Sequence, residues 1–430
     1  MITLESIFST DNLKIAVSQV MQKKGAPGID GLTTLDIIPW IKAHPHKLTN
    51  EIMNESYRFT PIRRVYIPKA DGKLRPLGIP SVIDRVVQQA LAIALSQEYD
   101  STFSNGSFGF RPNRGAHDAI RTAAGFLNMG YSYVIDLDLK SFFDTVNHEF
   151  LLHLLAKRIK DKRVLRLVNK ILKTEIIDKD EHIKPVQGLS QGAPCSPVLA
   201  NIVLDLLDKE LERRDHKFCR YADDVIILCK SERAAERTYA SIAKFIEDKL
   251  HLTINKDKTN VGFINPSMKY LGFAFIKQKS QDVGKYRPVV HSKAKKSLMD
   301  KLRPLLNKKC PKGIEATKEA TNLLLMGWSH YFAIGITSSN MDSTESWIRR
   351  KIRAIYLKAW KRNGTKDENF RKIKTNSDKI CRRVANSSLG IWAKARLSNQ
   401  IITNKVIHEE WGWMSIKAIV EDKTWEMLGY

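Results

Sequence analysis

FCRYADDVIIL, residues 218–228, sets Asp223 and Asp224 side by side in a run whose other members, Phe218, Tyr221, Val225, Ile226, Ile227 and Leu228, read as buried strand. Two like charges among apolar side chains push at least one carboxylate towards protonation unless a turn or a counter-charge relieves them. Adjacent residues on an extended chain face opposite ways, whereas a tight turn lets both reach one edge. The stretch is therefore read as a hairpin with the doublet at its bend. Taken alone, the doublet fits an exposed hairpin tip with no chemistry.

A second acidic strand weighs against that plain reading. VIDLDLKSFFD (134–144) carries Asp136, Asp138 and Asp144 on an apolar strand that leads into a helix. Three carboxylates drawn together from two neighbouring strands stay ionised in a low-dielectric site only beside a cation, and hard oxygen ligands select Mg²⁺. Two such ions about 3.5–4 Å apart are the arrangement used for nucleotidyl transfer.

The surrounding chain alternates strands and helices. Residues 1–60 read as helical, interrupted by GAPGIDGL (25–32). VYIPKADGKLRPLGIP (65–80) reads as a β-hairpin turning at Asp71-Gly72, and residues 81–100 as a helix with a serine start. Residues 148–172, 195–214 and 232–250 have helical periodicity, the second announced by Ser196 as N-cap and Pro197 in the first turn. MKYLGFAFI (268–276) reads as a strand, and after about residue 290 the pattern is wholly helical, which places a boundary near 284–290. The expected fold class is α+β, a sheet covered on one face, followed by an all-helical part.

Seventy-one Lys and Arg against 46 Asp and Glu give a net charge of +25, beyond what solubility requires, and imply a polyanionic partner. About half of the excess falls in residues 301–430, where 25 basic side chains face 12 acidic ones. In WIRRKIRAIYLKAWKR (347–362), Ile348, Ile352, Ile355 and Tyr356 form an apolar stripe beneath a basic face, a pattern suited to nucleic acid. The five cysteines are scattered and lack C-x-x-C spacing, so they are read as reduced, mostly buried thiols. No apolar run of membrane-spanning length and no secretory leader is present, and a cytoplasmic location is expected.

YADD, preceded by SQGAPCSPVLANIVLDLLDKEL (190–211) and DLDLKSFFDTVNH (136–148), resembles the catalytic core of a reverse transcriptase, most closely the group II intron-encoded (maturase) branch. GAPGIDG resembles that branch's N-terminal loop motif. RRVYIPKADGKLRPLGIPSVIDRVVQQA (63–90) and SFGFRPNRGAHDAI (107–120) resemble its fingers and early palm, LTINKDKT (252–259) and KYLGF (269–273) its later palm, and GWSHYF (327–332) with 347–362 its helical thumb. The resemblance implies a right-hand polymerase. Residues 1–60 would be an N-terminal extension and the start of the fingers, and 61–283 the fingers and palm. Residues 284–362 would be the thumb, and 363–430 a basic segment, bearing Trp392, Trp411, Trp413 and Trp425, that binds nucleic acid or packs on the thumb.

Carried over residue by residue, the family pattern makes Asp138, Asp223 and Asp224 catalytic and metal-binding, with the Leu139 carbonyl as a further ligand of Mg²⁺, for which Mn²⁺ can substitute. Phe143, five residues beyond Asp138, matches the bulky residue that clashes with a ribose 2′-hydroxyl; otherwise it is an ordinary core phenylalanine. Asp136 and Asp144 are then structural. Lys69 and Arg75 flank the hairpin turn where they suit an incoming triphosphate. Gln191 and Gly192 match the loop beside the nascent base pair, and Lys258 a residue behind the phosphates. Arg63, Arg64, Arg111, Arg114, Arg349, Arg350, Lys351 and Arg353 are candidates for template or RNA binding, although arginines beside the Pro112-Asn113 turn suit a structural role equally. The implied partners are an RNA template (an intron or another structured non-coding RNA), a DNA primer or product, and dNTPs, with no membrane; oligomeric state is not encoded in any motif.

The chain departs from the branch at 190–197, where Ser-Gln-Gly-Ala-Pro-Cys-Ser-Pro stands in place of Pro-Gln-Gly-Gly-Pro-Leu-Ser-Pro, and it shows no His/Asn-rich, cysteine-bearing nuclease segment. Three functions fit: an intron-encoded reverse transcriptase and maturase, a domesticated antiviral-defence reverse transcriptase copying a neighbouring non-coding RNA, or an RNA-binding splicing factor with an inactive polymerase core. The intact aspartates weigh against the last.

Overall fold

The structure, a computed structural model, describes residues 2–68, 72, 74–278, 284–373 and 378–422. Among them lie ten strands: β1 (Ile62–Pro68), β2 (Leu74–Ile79), β3 (Tyr133–Leu137), β4 (Ile176–Asp178), β5 (Glu181–Ile183), β6 (Lys217–Tyr221), β7 (Asp224–Cys229), β8 (Asn260–Phe263), β9 (Phe273–Lys277) and β10 (Tyr286–Val290). The chain divides into two compact units at Ile264/Asn265.

In the first unit the apolar runs on either side of the doublet pair as the β6–β7 hairpin within an antiparallel sheet of order β6-β7-β3-β8. Ile135 and Leu137 of β3 and Val225 and Ile227 of β7 join one core with Leu199, Leu204, Leu207 and Leu211 of helix Ser196–Arg213 and with Ile242 and Ile246 of helix Glu232–Leu250. All of Val225–Cys229 is buried, so β7 is covered on both faces rather than the one expected. The register sets Leu137 opposite Val225 and Tyr221 opposite Asp224. Since β3 runs towards the end at which β7 begins, Asp138 and the doublet leave the sheet at one edge.

A second sheet, β2-β1-β4-β5, contains the expected β1–β2 hairpin and a parallel β1–β4 contact. Its expected turn residue Asp71, and Lys69, lie outside the described residues. Helix Val82–Tyr99 starts as expected at Ser81, whose Oγ accepts the Asp84 N–H at 3.1 Å. The expected 148–172 helix is two, His148–Ala156 and Lys162–Leu172. Asp161 stands between them and caps the second by accepting the Arg163 N–H at 2.9 Å. Ser196 is not the N-cap of its helix: Cys195 holds that position, and the Ser196 hydroxyl donates to the Ser190 carbonyl at 2.8 Å, tying the helix to the loop before it.

The second unit opens with the antiparallel β9–β10 hairpin and continues as helices. The division falls about twenty residues before the expected boundary. The hairpin belongs with the helices because Phe273 packs on Tyr331 and Phe332 of helix Ile314–Phe332, at ring distances of 5.9 and 5.1 Å. Ile348, Ile352 and Ile355, the expected stripe of helix Ser338–Ala359, are core. Trp413 is buried and Trp411 stacks on Tyr356 at 3.8 Å, so both are packing residues; Trp392 is partly exposed, and Trp425 lies outside the described residues. Cys195, Cys219, Cys229 and Cys381 are buried thiols, and Cys310 is partly exposed. Among the described residues no helix is long and apolar enough to cross a membrane.

Candidate functional site

Because Tyr221 pairs with Asp224, only Ala222 and Asp223 connect β6 to β7, and Ala222 takes a left-handed φ of +57° to close the turn. Segment 106–109 holds the turn from the side. The Phe108 N–H donates to the Arg220 carbonyl at 2.9 Å, and the Arg220 N–H donates to the Gly106 carbonyl at 2.8 Å. Gly109 lies so close that a Cβ there would stand 2.3 Å from the Ala222 nitrogen. Beneath the turn, Arg220 is fully buried. Its guanidinium donates to both Asp208 oxygens (2.5–3.0 Å), to Asn201 Oδ1 (2.9 Å), to Ser107 Oγ (2.7 Å) and to the Ala222 carbonyl (3.1 Å).

Burial pushes the half-buried Asp223 carboxyl above its ordinary range; Arg75 pulls it down, and the like charge of Asp138 pushes it further up. The Asp138 side chain is 35% exposed, with Lys258 Nζ 3.9 Å from its Oδ2. Its backbone is fixed by the Asp138 N–H donating to Thr259 Oγ1 (3.2 Å) and by the Asn255 N–H donating to its carbonyl (2.9 Å). Leu139, next along, bridges to Ile254. Asp224 is exposed at the start of β7, and Asp136 is held within the sheet opposite Ile226 and Asn260. The three carboxylates Asp138, Asp223 and Asp224 thus share one sheet edge, but among the described residues they do not close into a three-ligand cluster.

Facing this edge is a cavity of about 500 Å³ lined by Arg75, Phe143, Gln191, Gly192 and Asp223, joined by Lys23, Arg85 and Phe110. Phe142 is core, whereas Phe143 is half-buried, packs against the same core and lines the cavity. The Gln191 loop is fastened beside it by the Leu189 N–H donating to the Phe143 carbonyl (2.6 Å) and the Gly188 N–H to the Val146 carbonyl (2.7 Å). Arg75 Nε donates to Gln191 Oε1 at 2.6 Å, and Gln191 Nε2 donates to Asp144 Oδ1 at 3.4 Å. Asp144 therefore takes part in the site's hydrogen bonding. Gly192 has φ +107°, and a Cβ there would stand 2.5 Å from the Gly78 carbonyl oxygen, so its small size admits the β2 backbone. A cavity with three cationic side chains and a desolvated carboxylate suits a polyphosphate held near a cation site.

Residues 67–275 match the reverse transcriptase (RNA-dependent DNA polymerase) family, and residues 295–375 match the maturase-specific domain of group II introns. Protein YkfC of Escherichia coli (strain K12) is 33% identical over 318 residues, covering 65% of this chain and 84% of that protein. The chain belongs to the group II intron-type reverse transcriptase and maturase family. The group II intron-encoded protein LtrA of Lactococcus lactis subsp. cremoris is 28% identical, covering 53% of this chain and 49% of LtrA. The putative COX1/OXI3 intron 2 protein of Saccharomyces cerevisiae is 30% identical, covering 61% and 37%. The chain thus spans half or less of those two longer relatives. A chain of a Cas6-RT-Cas1–Cas2 complex matches 57% of this one at 25% identity with a TM-score of 0.36, too slight a likeness to argue from.

Several arginines that the family pattern offered for nucleic acid are committed elsewhere. Arg111 is buried and donates to Asp100 Oδ1 (2.7 Å) and to the Asp100, Ser104 and Ser107 carbonyls, so it is structural. Arg63 donates to the Pro27 carbonyl at 2.6 Å, Arg64 stands 3.6 Å from Asp178, and Arg114 holds Asn105 through two bonds. In the second unit Arg349 pairs with Glu345 at 2.6 Å, and Lys351 lies 4.2 Å over the Trp392 ring. Arg353 is buried, and Arg350 is exposed. Lys23, Arg85 and Phe110 of the cavity went unread because single residues in a helix or loop carry no periodic signal. For Arg220 a signal existed: Asp208 shares an apolar helix face with Leu204 and Leu211, and a buried carboxylate demands a cation.

Proposed function

We propose that this chain is an RNA-directed DNA polymerase that acts with a structured RNA of group II intron type and uses Mg²⁺ at Asp138, Asp223 and Asp224. The observation that carries the reading is the strand register that brings Asp138 to the Ala222-Asp223 turn, beside a cavity holding Phe143, Gln191 and Arg75. A divalent cation fits this edge. Asp223 is desolvated and repelled by Asp138, a deficit of positive charge that oxygen-ligated Mg²⁺ relieves, with the Leu139 carbonyl available next to Asp138. When bound, the ion supplies charge neutralisation and Lewis-acid activation of a primer 3′-hydroxyl.

The chain's own residues do the rest. Arg75 and Lys258, together with Lys69, hold the triphosphate. Phe143 packs where a ribose 2′-hydroxyl would stand, and Gln191 and Gly192 border the nascent pair. Residues 61–283 serve as fingers and palm, 284–362 as thumb, and 363–430 as a basic segment that binds nucleic acid or packs on the thumb. The purified chain, given an RNA template, an annealed DNA primer, dNTPs and Mg²⁺, should make full-length cDNA and lose that activity with EDTA. RNA binding without any extension would identify an RNA-binding factor with an inactive core instead.

A further inference from the structure

His148 is 4% exposed and lies outside both the carboxylate edge and the cavity that faces it. It opens helix His148–Ala156, and its Nε2 stands 2.8 Å from the Gly188 carbonyl oxygen. A carbonyl only accepts, so Nε2 carries the proton and Nδ1 keeps a bare lone pair. That Nδ1 is buried and has no hydrogen-bond partner among the described residues. Gly188 returns the contact: its N–H donates to the Val146 carbonyl at 2.7 Å, and Gln187 bridges to Asn147 beside it. One residue on, the Leu189 N–H donates to the carbonyl of Phe143, the aromatic that lines the cavity. Segments 143–148 and 187–189 are thus laced together, and Gln191 follows two residues after Leu189. Gly188 permits the close approach, since at its φ of +93° a Cβ would stand 2.9 Å from the Asp144 carbonyl oxygen. Burial pulls the His148 pKa below its ordinary value; the Gly188 carbonyl pulls it part of the way back, and the charge of Lys173 pushes it down again. Among the described residues Lys173 is the charged group that bears on the ring; the 187–191 loop and helix Ser196–Arg213, packed on the same helix, add none. The neutral ring fits this site, whereas a protonated ring places a second N–H at Nδ1 where nothing accepts it.

We propose that His148 is a positioning residue for nucleotide binding: as a neutral imidazole it holds the Gln191 loop in register with Phe143, and its protonation releases that loop. The inference rests on the polymerase reading above and adds a residue that makes nucleotide binding weaken in acid. The docked loop favours the neutral ring, so its hold is complete above about pH 6.5, the ordinary histidine value, and is lost as pH falls through the lowered one. His148 touches neither the triphosphate nor the carboxylates; it acts through the Gly188 carbonyl and the two ties beside it.

The test compares variants of the full chain at equal pH between about pH 5 and 8. Two quantities are read: KM for dNTPs and kcat in primer extension with Mg²⁺, and hydrogen exchange of peptides spanning 184–195. His148→Leu loses the donor and should raise the dNTP KM about tenfold, with kcat changed less than about threefold, and the loop should exchange faster at every pH. His148→Gln keeps an N–H at a similar reach and takes up no proton. It should hold the KM within about threefold of the unaltered chain at pH 8 and lose the acid-dependent loosening of the loop. Asp223 and the triphosphate also titrate, so the acid effect of His148 is read as the difference between the unaltered chain and His148→Gln. An unmoved KM in folded His148→Leu would overturn the proposal, as would the same acid dependence of loop exchange in His148→Gln as in the unaltered chain. Where His148→Leu does not fold, the His148→Gln comparison decides alone. Loop exchange requires no turnover, so an unaltered chain that extends no primer would count against the polymerase reading while the exchange data still decide this one.

Discussion

Removing the partner of Arg220 is the sharpest structural perturbation available. Both side chains of the Arg220–Asp208 pair are fully buried, and Asp208 receives the guanidinium through both carboxylate oxygens. Asp208→Asn keeps the shape but leaves the arginine's charge uncompensated in the core, a change that costs about 3–5 kcal/mol. At about 1.4 kcal/mol per factor of ten, the folded-to-unfolded ratio of the first unit falls by about two to three and a half powers of ten. The chain has two units, so a single unfolding midpoint would blur the result. Trp40 is the one tryptophan in residues 1–264, so fluorescence reports mostly on the other unit. Hydrogen exchange followed by mass spectrometry is the better assay: peptides spanning 217–229 should lose protection, and those spanning 338–359 should keep theirs. Arg220→Met combined with Asp208→Leu removes both charges and should recover most of the protection. It should not recover polymerase activity, because the guanidinium that holds the Ala222 carbonyl is gone. A cost below about 1 kcal/mol for Asp208→Asn, or full activity in the double variant, would refute the argument that this buried pair sets the turn.

Three further outcomes follow from the same geometry. Gly109→Ala should displace the Ala222-Asp223 turn and cut the rate of primer extension at least tenfold with little change in nucleotide KM, since its Cβ would stand 2.3 Å from backbone; steady-state extension kinetics give the split. Phe143→Ala should raise ribonucleotide incorporation relative to deoxynucleotide, measured by alkali-sensitive product; unchanged sugar selectivity would mean that Phe143 only packs. Arg75→Ala removes both the cation in the cavity and the bond to Gln191, and should raise the KM for dNTPs about tenfold, whereas an unaltered KM would leave Arg75 as a purely structural tie.

Much of the fold was legible because its signals are local. The 232–250 helix, the β1–β2 hairpin and the hairpin around YADD follow from periodicity and turn chemistry, and the structure shows each of them, although the bend falls one residue earlier than read, at Ala222-Asp223, with Asp224 already in β7. Strands β4, β5 and β8 span only three or four residues, too few for alternation to register, and were not read. The convergence of Asp138 on Asp223 was readable as two acidic strands, but the register that joins their ends is a tertiary fact. The arginines were the least legible. Five donors on a plane satisfy backbone carbonyls as readily as phosphates, and nothing in FRPNRG says that Arg111 faces Asp100 and its own loop, nor in RRKIR (349–353) that Arg353 lines a groove. Gly192 illustrates the same limit: the family pattern places it beside the nascent base pair, and only the structure shows that the β2 backbone at Gly78 approaches it.

The central claim is that the carboxylates at the β3–β7 edge carry out nucleotidyl transfer while RNA is held by basic groups elsewhere. Asp223→Asn tests it most directly, with primer extension and RNA affinity measured on the same preparation. The account predicts no detectable cDNA and an RNA affinity within about twofold of the unaltered protein, because phosphate contacts and not this carboxylate supply binding. Retained synthesis, or RNA binding lost together with synthesis, would contradict it.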